Sequence, residues 1–225
     1  MADSIQRNLI LSRLAPADFE LLEPHLTPVD LPVRKMLEQR GRRINNIYFP
    51  ESGFASVVAN GDKRPIEVGI IGREGMTGIP VVLGGDRNSH ETYIQAAGHG
   101  QSIRTRLLRD AITASTRLQL SLLRYVQHFL DQTSQTAVSN GRSSIEERLA
   151  RWLLMAADRL DDEELPLTHE FLAMMLSVRR PGVTVAVQEL EREGMIERRR
   201  GRIFIIDRKA LEKKSNGTYV RAEYD

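Results

Sequence analysis

The sequence predicts an α+β protein in three parts: a double-stranded, jelly-roll-like β-roll, a long helix and a winged helix-turn-helix. Three observations carry that expectation. Short β-rich runs with Gly, Asn, Asp and Pro between them fill residues 29–105, and a stretch without Gly or Pro follows from 105 to 140. The last sixty or so residues then parse as helix, turn, helix and hairpin. The boundaries this gives are 1–115 for a roll domain, 116–142 for the long helix and 143–225 for the winged unit.

The first elements are short. Residues 4–26 suggest brief helices, with Pro16 in a first turn, where a missing N–H costs little, and Leu14, Phe19 and Leu22 on one apolar side. The runs NIYFP, FASVVA, EVGII, IPVVL and YIQAA then read as strands of a small antiparallel barrel or roll. Between FASVVA and IEVGII, Asn60-Gly61 offers the positive φ angles of a tight hairpin turn.

In the long helix, Leu118, Leu122, Tyr125 and Phe129 follow 4-3-4 spacing, continued in polar form by Gln132 and Thr136. That is a heptad seam, and it marks those four residues as a homodimer contact, the alternative being that this face packs only on the roll. Leu123, Val126 and Leu130 supply a second apolar face, so the helix is expected to touch both the roll and a partner chain. NGRSS interrupts it, Ser144 caps the next helix, and Ile145, Leu149, Trp152, Leu153 and Ala156 form that helix's buried side. The acidic run DDEELP, ending in Pro166, forms a seam before the last unit.

That unit carries the functional signal. Thr168 is an N-cap candidate for HEFLAMMLS, with Phe171, Leu172 and Leu176 facing inward. A turn around Ser177–Arg179 leads into SVRRPGVTVAVQEL, whose Val183, Val187 and Leu190 share a face. Pro181 and Gly182 are poor helix formers, but in a first turn proline loses no hydrogen bond, and glycine lets backbone approach a neighbour. First-turn N–H groups attract phosphate, and Arg179 and Arg180 add charge there. Gly194 fits a left-handed helix cap, and ERRRGRIFIID reads as a hairpin tipped by Arg199, Arg200 and Arg202.

Composition narrows the function classes. Hydrophobic residues make up 41% and charged residues 28%, as in a globular protein. Zero cysteines exclude disulfides, thiolate zinc sites and a cysteine nucleophile. No apolar run reaches the ~20 residues of a membrane span, and the N-terminus has no signal-peptide core, so a cytoplasmic protein is expected. Net charge is only +2, yet residues 166–214 hold eleven Lys/Arg against seven Asp/Glu. That local excess suits a nucleic-acid module. His25, His90, His99, His128 and His169 are scattered without metal-ligand spacing, so no metal and no cofactor is expected. GREGMTG lacks the Gly-Lys-Ser/Thr of a phosphate-binding P-loop.

With a roll, a heptad-bearing helix and LTHEFLAMMLSVRRPGVTVAVQELEREGMI…GRIFIID in that order, the chain resembles the Crp/Fnr superfamily of bacterial transcription regulators. The resemblance is strongest over 165–207. It implies a sequence-specific DNA-binding regulator that works as a homodimer on double-stranded DNA, and contacts RNA polymerase if it activates. Thr168, Arg179, Arg180, Pro181, Gly182, Thr184, Gln188, Arg199, Arg200 and Arg202 are the DNA-contact candidates. Relatives with the familiar base-reading set carry Arg-Glu-x-x-x-Arg; here Arg180 is kept, but Pro181 and Val185 replace the other two, which implies a different operator.

In cyclic-nucleotide-binding relatives, a glycine-rich turn precedes a Glu for the ribose, and an Arg-Ser/Thr pair holds the cyclic phosphate. Here Gly75 and Gly78 keep the turn, Ile79 falls at the Glu position and His90-Glu91 at the Arg-Ser position. A carboxylate there repels the anion, so an effector other than cyclic AMP, or none, is implied. Arg87 is near enough to rescue a phosphate contact, and Thr133-Ser134 falls where relatives place a pair near the purine. The rival reading is a ligand-binding or protein-docking module whose winged helix does not meet DNA.

Overall fold

The computed structural model describes residues 7–60, 65–160, 164–165 and 167–221. The expected turn residue Gly61 and the seam residue Pro166 lie outside them. The chain divides into two compact units, Met1–Val58 with Ile70–Leu130, and Ala59–Gly69 with Asp131–Glu223.

The first unit opens with α1 (Leu9–Ser12), held by the fully buried Asn8. The Asn8 side chain accepts from the N–H groups of Ile10 and Leu11 and donates to the carbonyls of Pro50 and Gly75, both at 2.8 Å. One amide thereby caps a helix and pins it to the end of the Asn46–Pro50 strand and to the turn at Gly75. Then come α2 (Pro16–Phe19), a 3-10 turn (Glu23–His25), β1 (Thr27–Leu31), β2 (Met36–Glu38) and β3 (Asn46–Pro50). These are followed by β4 (Phe54–Asn60), β5 (Pro65–Ile71), α3 (Ile79–Val82), β6 (Glu91–Ala96), β7 (Gly98–Arg104), α4 (Thr105–Ala114) and α5 (Thr116–Arg142). Two sheets form the roll, in orders β1-β7-β3 and β2-β6-β4-β5, and the β1–β7, β3–β7, β2–β6 and β4–β6 pairs are antiparallel.

Two expectations are corrected here. The run IPVVL is not a strand: Gly78 at φ +83° caps a single helical turn, and Pro80 in that turn could not have donated to a sheet ladder. The second correction concerns the seam of α5. Leu118, Leu122 and Tyr125 are buried in the same chain, within a core that includes Leu11, Leu22, Ile47, Phe49, Met76 and Ile103. They close the roll and are not available to a partner. Phe129 is half-buried, and the large apolar side chains that α5 leaves exposed are Leu120, Leu130 and Val138.

The second unit includes parts of β4 and β5 and the last part of α5, and continues through α6 (Ile145–Leu160), β8 (Glu164–Leu165), α7 (His169–Met175), α8 (Arg180–Arg192), β9 (Ile196–Arg199), β10 (Arg202–Ile205) and α9 (Arg208–Lys214). Ser144 and Glu147 cap α6 reciprocally: each side chain accepts from the other residue's N–H. The helix is buried on more than one side, because α8, α9 and β8 all pack against it. Its Trp152 stands edge-on to Phe171, with ring centroids 5.5 Å apart, and donates from Nε1 to Glu67 at 2.6 Å. Among the described residues no helix is long and apolar enough to cross a membrane.

Candidate nucleic-acid interface

The turn between α7 and α8 is a Schellman closure. The Val178 N–H returns to the Ala173 carbonyl and the Ser177 N–H to Met174, with Ser177 itself left-handed at φ +50°. Thr168 caps the front of α7, its hydroxyl accepting from Phe171 N–H at 3.2 Å. Leu172, Met175 and Leu176 then pack with Val183, Ala186, Val187 and Leu190 of α8 in a buried interior. This fixes which side of α8 faces out.

On that outer side Arg180, Pro181, Val185 and Gln188 are exposed. Arg180 and Pro181 occupy the first turn, and the N-cap residue Arg179 makes no side-chain capping bond, so the first-turn N–H groups there lack a side-chain acceptor from the cap. Gly182 has a different role from the one expected. A Cβ on it would stand 3.1 Å from Ile145 Cδ1, so the close neighbour is α6.

The wing is β9 and β10, paired Arg199↔Arg202 to Ile205↔Ile196, with β8 on the far side of β10. Gly201, at φ +73°, turns the tip. A groove of about 400 Å³ runs between wing and helices, and it brings together four of the expected residues, Thr168, Arg180, Arg199 and Arg202. His169, Glu170, Arg198 and Gly201 line it as well and were not foreseen. His169 follows the cap residue directly, and that adjacency was the only signal available for it.

Not every arginine here is available as a cation. Arg198 is bound to Glu191 at 2.6 Å, and Arg192 to Glu189 at 2.6 Å. Arg199 pairs with Glu197 at 2.9 Å while its guanidinium lies 4.4 Å from the Phe204 ring centroid, which holds it flat along the wing. Arg179, Arg180 and Arg200 have no ion pair among the described residues. The Thr184 hydroxyl lies 3.1 Å from His169 Nδ1 and 3.2 Å from the Arg180 carbonyl, so it is engaged within the protein. Burial, with Arg198 and Arg180 nearby, holds the His169 pKa below its ordinary value and favours the neutral ring.

The residues matched to an effector pocket gather less well. Gly75 lets the Tyr125 ring come close, since a Cβ there would be 2.6 Å from it, and Gly78 does the same for Ile47. Ile79 packs against the core. Arg87 is exposed, donating to the Gly41 carbonyl at 2.8 Å beside Asp86. His90 is half-buried, 3.2 Å from the Ser89 hydroxyl, and Glu91 pairs with Val58 in the sheet. Thr133 and Ser134 belong to the second unit.

An unforeseen residue stands at the centre of that turn instead. The buried Glu38 carboxylate accepts from Gly78 N–H at 2.6 Å, Thr92 Oγ1 at 3.0 Å and Asn88 Nδ2. Burial raises its pKa, and those three donors oppose the rise. A lone Glu in a three-residue strand reads as surface, so nothing in the sequence marked it.

Residues 147–214 match the family described as the Crp-like helix-turn-helix domain. This part of the chain folds as a Crp-like helix-turn-helix domain. Solved structures extend the likeness to most of the chain. A CRP-family transcriptional regulator from Thermus thermophilus is 19% identical, covering 87% of this chain and 100% of its own, with a TM-score of 0.70. FixK2 from Bradyrhizobium japonicum is 15% identical, covering 84% and 96%, with a TM-score of 0.72. The c-di-GMP-responsive regulator CLP of Xanthomonas campestris is 16% identical, covering 85% and 99%, with a TM-score of 0.69. At these identities the likeness establishes the fold: a β-sheet domain, a long helix, and the Crp-like domain with its hairpin wing. No curated protein sequence matches the chain.

Proposed function

We propose that the chain is a dimeric, sequence-specific DNA-binding transcription regulator of the Crp/Fnr type, acting in the cytoplasm and responding to an effector other than cyclic AMP or to none. The observation that carries this reading is the groove of the Crp-like domain, where Arg180 in the first turn of α8 faces Arg199 and Arg202 of the wing. On this reading α8 enters the major groove, with Arg180 reaching base edges or phosphate, and the wing arginines follow the backbone. The Arg180 N–H adds a phosphate contact, since Pro181 has no N–H and the Gly182 N–H already returns to the Arg179 carbonyl at 2.9 Å.

The dimer contact moves around α5. Leu120, Leu123, Gln127, Leu130, Ser134 and Ala137 follow 3-4-3-4-3 spacing, and each is exposed or half-exposed. Two chains joined there would present two α8 helices to half-sites about 34 Å apart. Residues 1–115 then serve as the sensing or docking domain, and an activator would in addition touch RNA polymerase. The Glu38 carboxylate supports the reading against cyclic AMP, because it already takes the Gly78 N–H of the glycine-rich turn.

Binding of the full chain to random duplex DNA at rising salt tests this. A regulator that neutralises several phosphates loses about a thousandfold or more in affinity between roughly 50 and 200 mM salt. Weak binding that ignores salt would mean a docking module instead.

A further inference from the structure

The outward face of α8 has one feature that phosphate binding does not use. Val185 is 59% exposed, a large apolar side chain amid Arg180, Pro181 and Gln188. The buried side of the helix is complete without it, and valine is a poorer helix former than the alanine that would serve an idle surface position. Its polar neighbour Thr184 is turned inward, onto His169 and the Arg180 carbonyl. What remains at mid-helix is a branched hydrocarbon, with unpaired Arg179 and Arg180 at the front of the same helix and Arg200 at the wing tip.

A partner complementary to that arrangement is anionic at its edges and apolar at a point between them. The DNA major groove has that pattern wherever a thymine methyl projects between the two phosphate backbones. We propose that Val185 packs on a thymine C5-methyl and makes thymine at that position of each half-site a specificity determinant. The inference rests on the DNA-binding reading above and adds the chemistry that α8 recognises.

Replacing thymine by deoxyuridine removes only the methyl and leaves every hydrogen-bonding edge in place. The full chain is first used to select its best duplexes from a random-sequence library. Each thymine of the selected site is then replaced singly, and affinities are measured for the wild type and for Val185→Ala. The wild type is expected to lose about fourfold at one thymine per half-site, the worth of one buried methyl group. Val185→Ala, at an exposed position and therefore folded (a thermal melt checks this), is expected to bind the two duplexes alike. A scan with no sensitive thymine, or a sensitivity that Val185→Ala retains, overturns the proposal. If those outcomes come with steep salt dependence, the DNA-binding reading survives; if binding ignores salt, both fall.

Discussion

The Tyr125 hydroxyl donates a 2.6 Å hydrogen bond to the Met76 carbonyl, and its ring fills the space that a Cβ on Gly75 would need. The glycine-rich turn is therefore built around a residue of α5. Tyr125→Phe leaves a buried carbonyl without its partner and is expected to cost about 1–2 kcal/mol. Gly75→Ala forces the ring aside and is expected to cost about 1–3 kcal/mol. Urea unfolding of each variant checks both figures.

The same burial separates stability from assembly along α5. Leu118→Ala empties part of the roll core and should lose about 2–5 kcal/mol while leaving the oligomeric state unchanged. Leu120→Glu with Leu130→Glu changes residues that are each 52% exposed, so it should leave the roll intact and yield monomers. Sedimentation velocity beside a denaturant titration distinguishes the two classes. A dimer that survives the paired Glu change would place the contact elsewhere.

Ser177 adopts φ +50° at the left-handed position of the α7 closure, where L side chains are strained. Ser177→Gly removes that strain at some cost in unfolded-state entropy, so a net gain of about 0.5 kcal/mol is expected. A melting point that falls instead would show that the serine side chain contributes to the turn.

His169 is expected to give DNA binding a pH dependence. Burial and the neighbouring Arg198 and Arg180 lower its pKa in the free protein, so at neutral pH the ring is uncharged. Phosphates entering the groove offset those cations and raise the pKa, so binding takes up a proton. Affinity should therefore increase as pH falls toward and below the ordinary value of 6.5, and His169→Gln should flatten the profile. Anisotropy titrations between about pH 8 and 6 read this directly. Glu170 lines the same groove, so Glu170→Gln is the control for the nearest carboxylate.

The winged unit was the most legible part of the sequence. Its caps at Ser144, Thr168 and Gly194, the first-turn Pro181 and the hairpin tip all leave local signatures, and each stands where those signatures point. The roll was legible only in outline. β7 contains Gly98 and Gly100, which read as breaks, yet a Cβ at either would run into the backbone of Ser52 or Phe49. β1 begins Thr27-Pro28, a poor strand signal, and IPVVL has strand composition but its proline sits in a helical turn. Both α5 and Glu38 show the same limit. Spacing identifies an apolar face, and composition a carboxylate, but neither says which neighbour the fold brings to it. For that reason the seam at Leu118 and Leu122 closes its own roll, and Glu38 holds a turn forty residues away.

On the proposed function α8 reads DNA through its first turn. Arg180→Ala, compared with Arg200→Ala on a selected operator and on random duplex, tests it most directly. Arg180→Ala should lose about 1–3 kcal/mol on the operator and far less on random DNA, which reduces selectivity. Arg200→Ala should weaken both duplexes to a similar degree and lower the salt slope by about one. Equal losses on operator and random DNA for both variants, or no loss for Arg180→Ala, would mean that α8 does not select its site through Arg180.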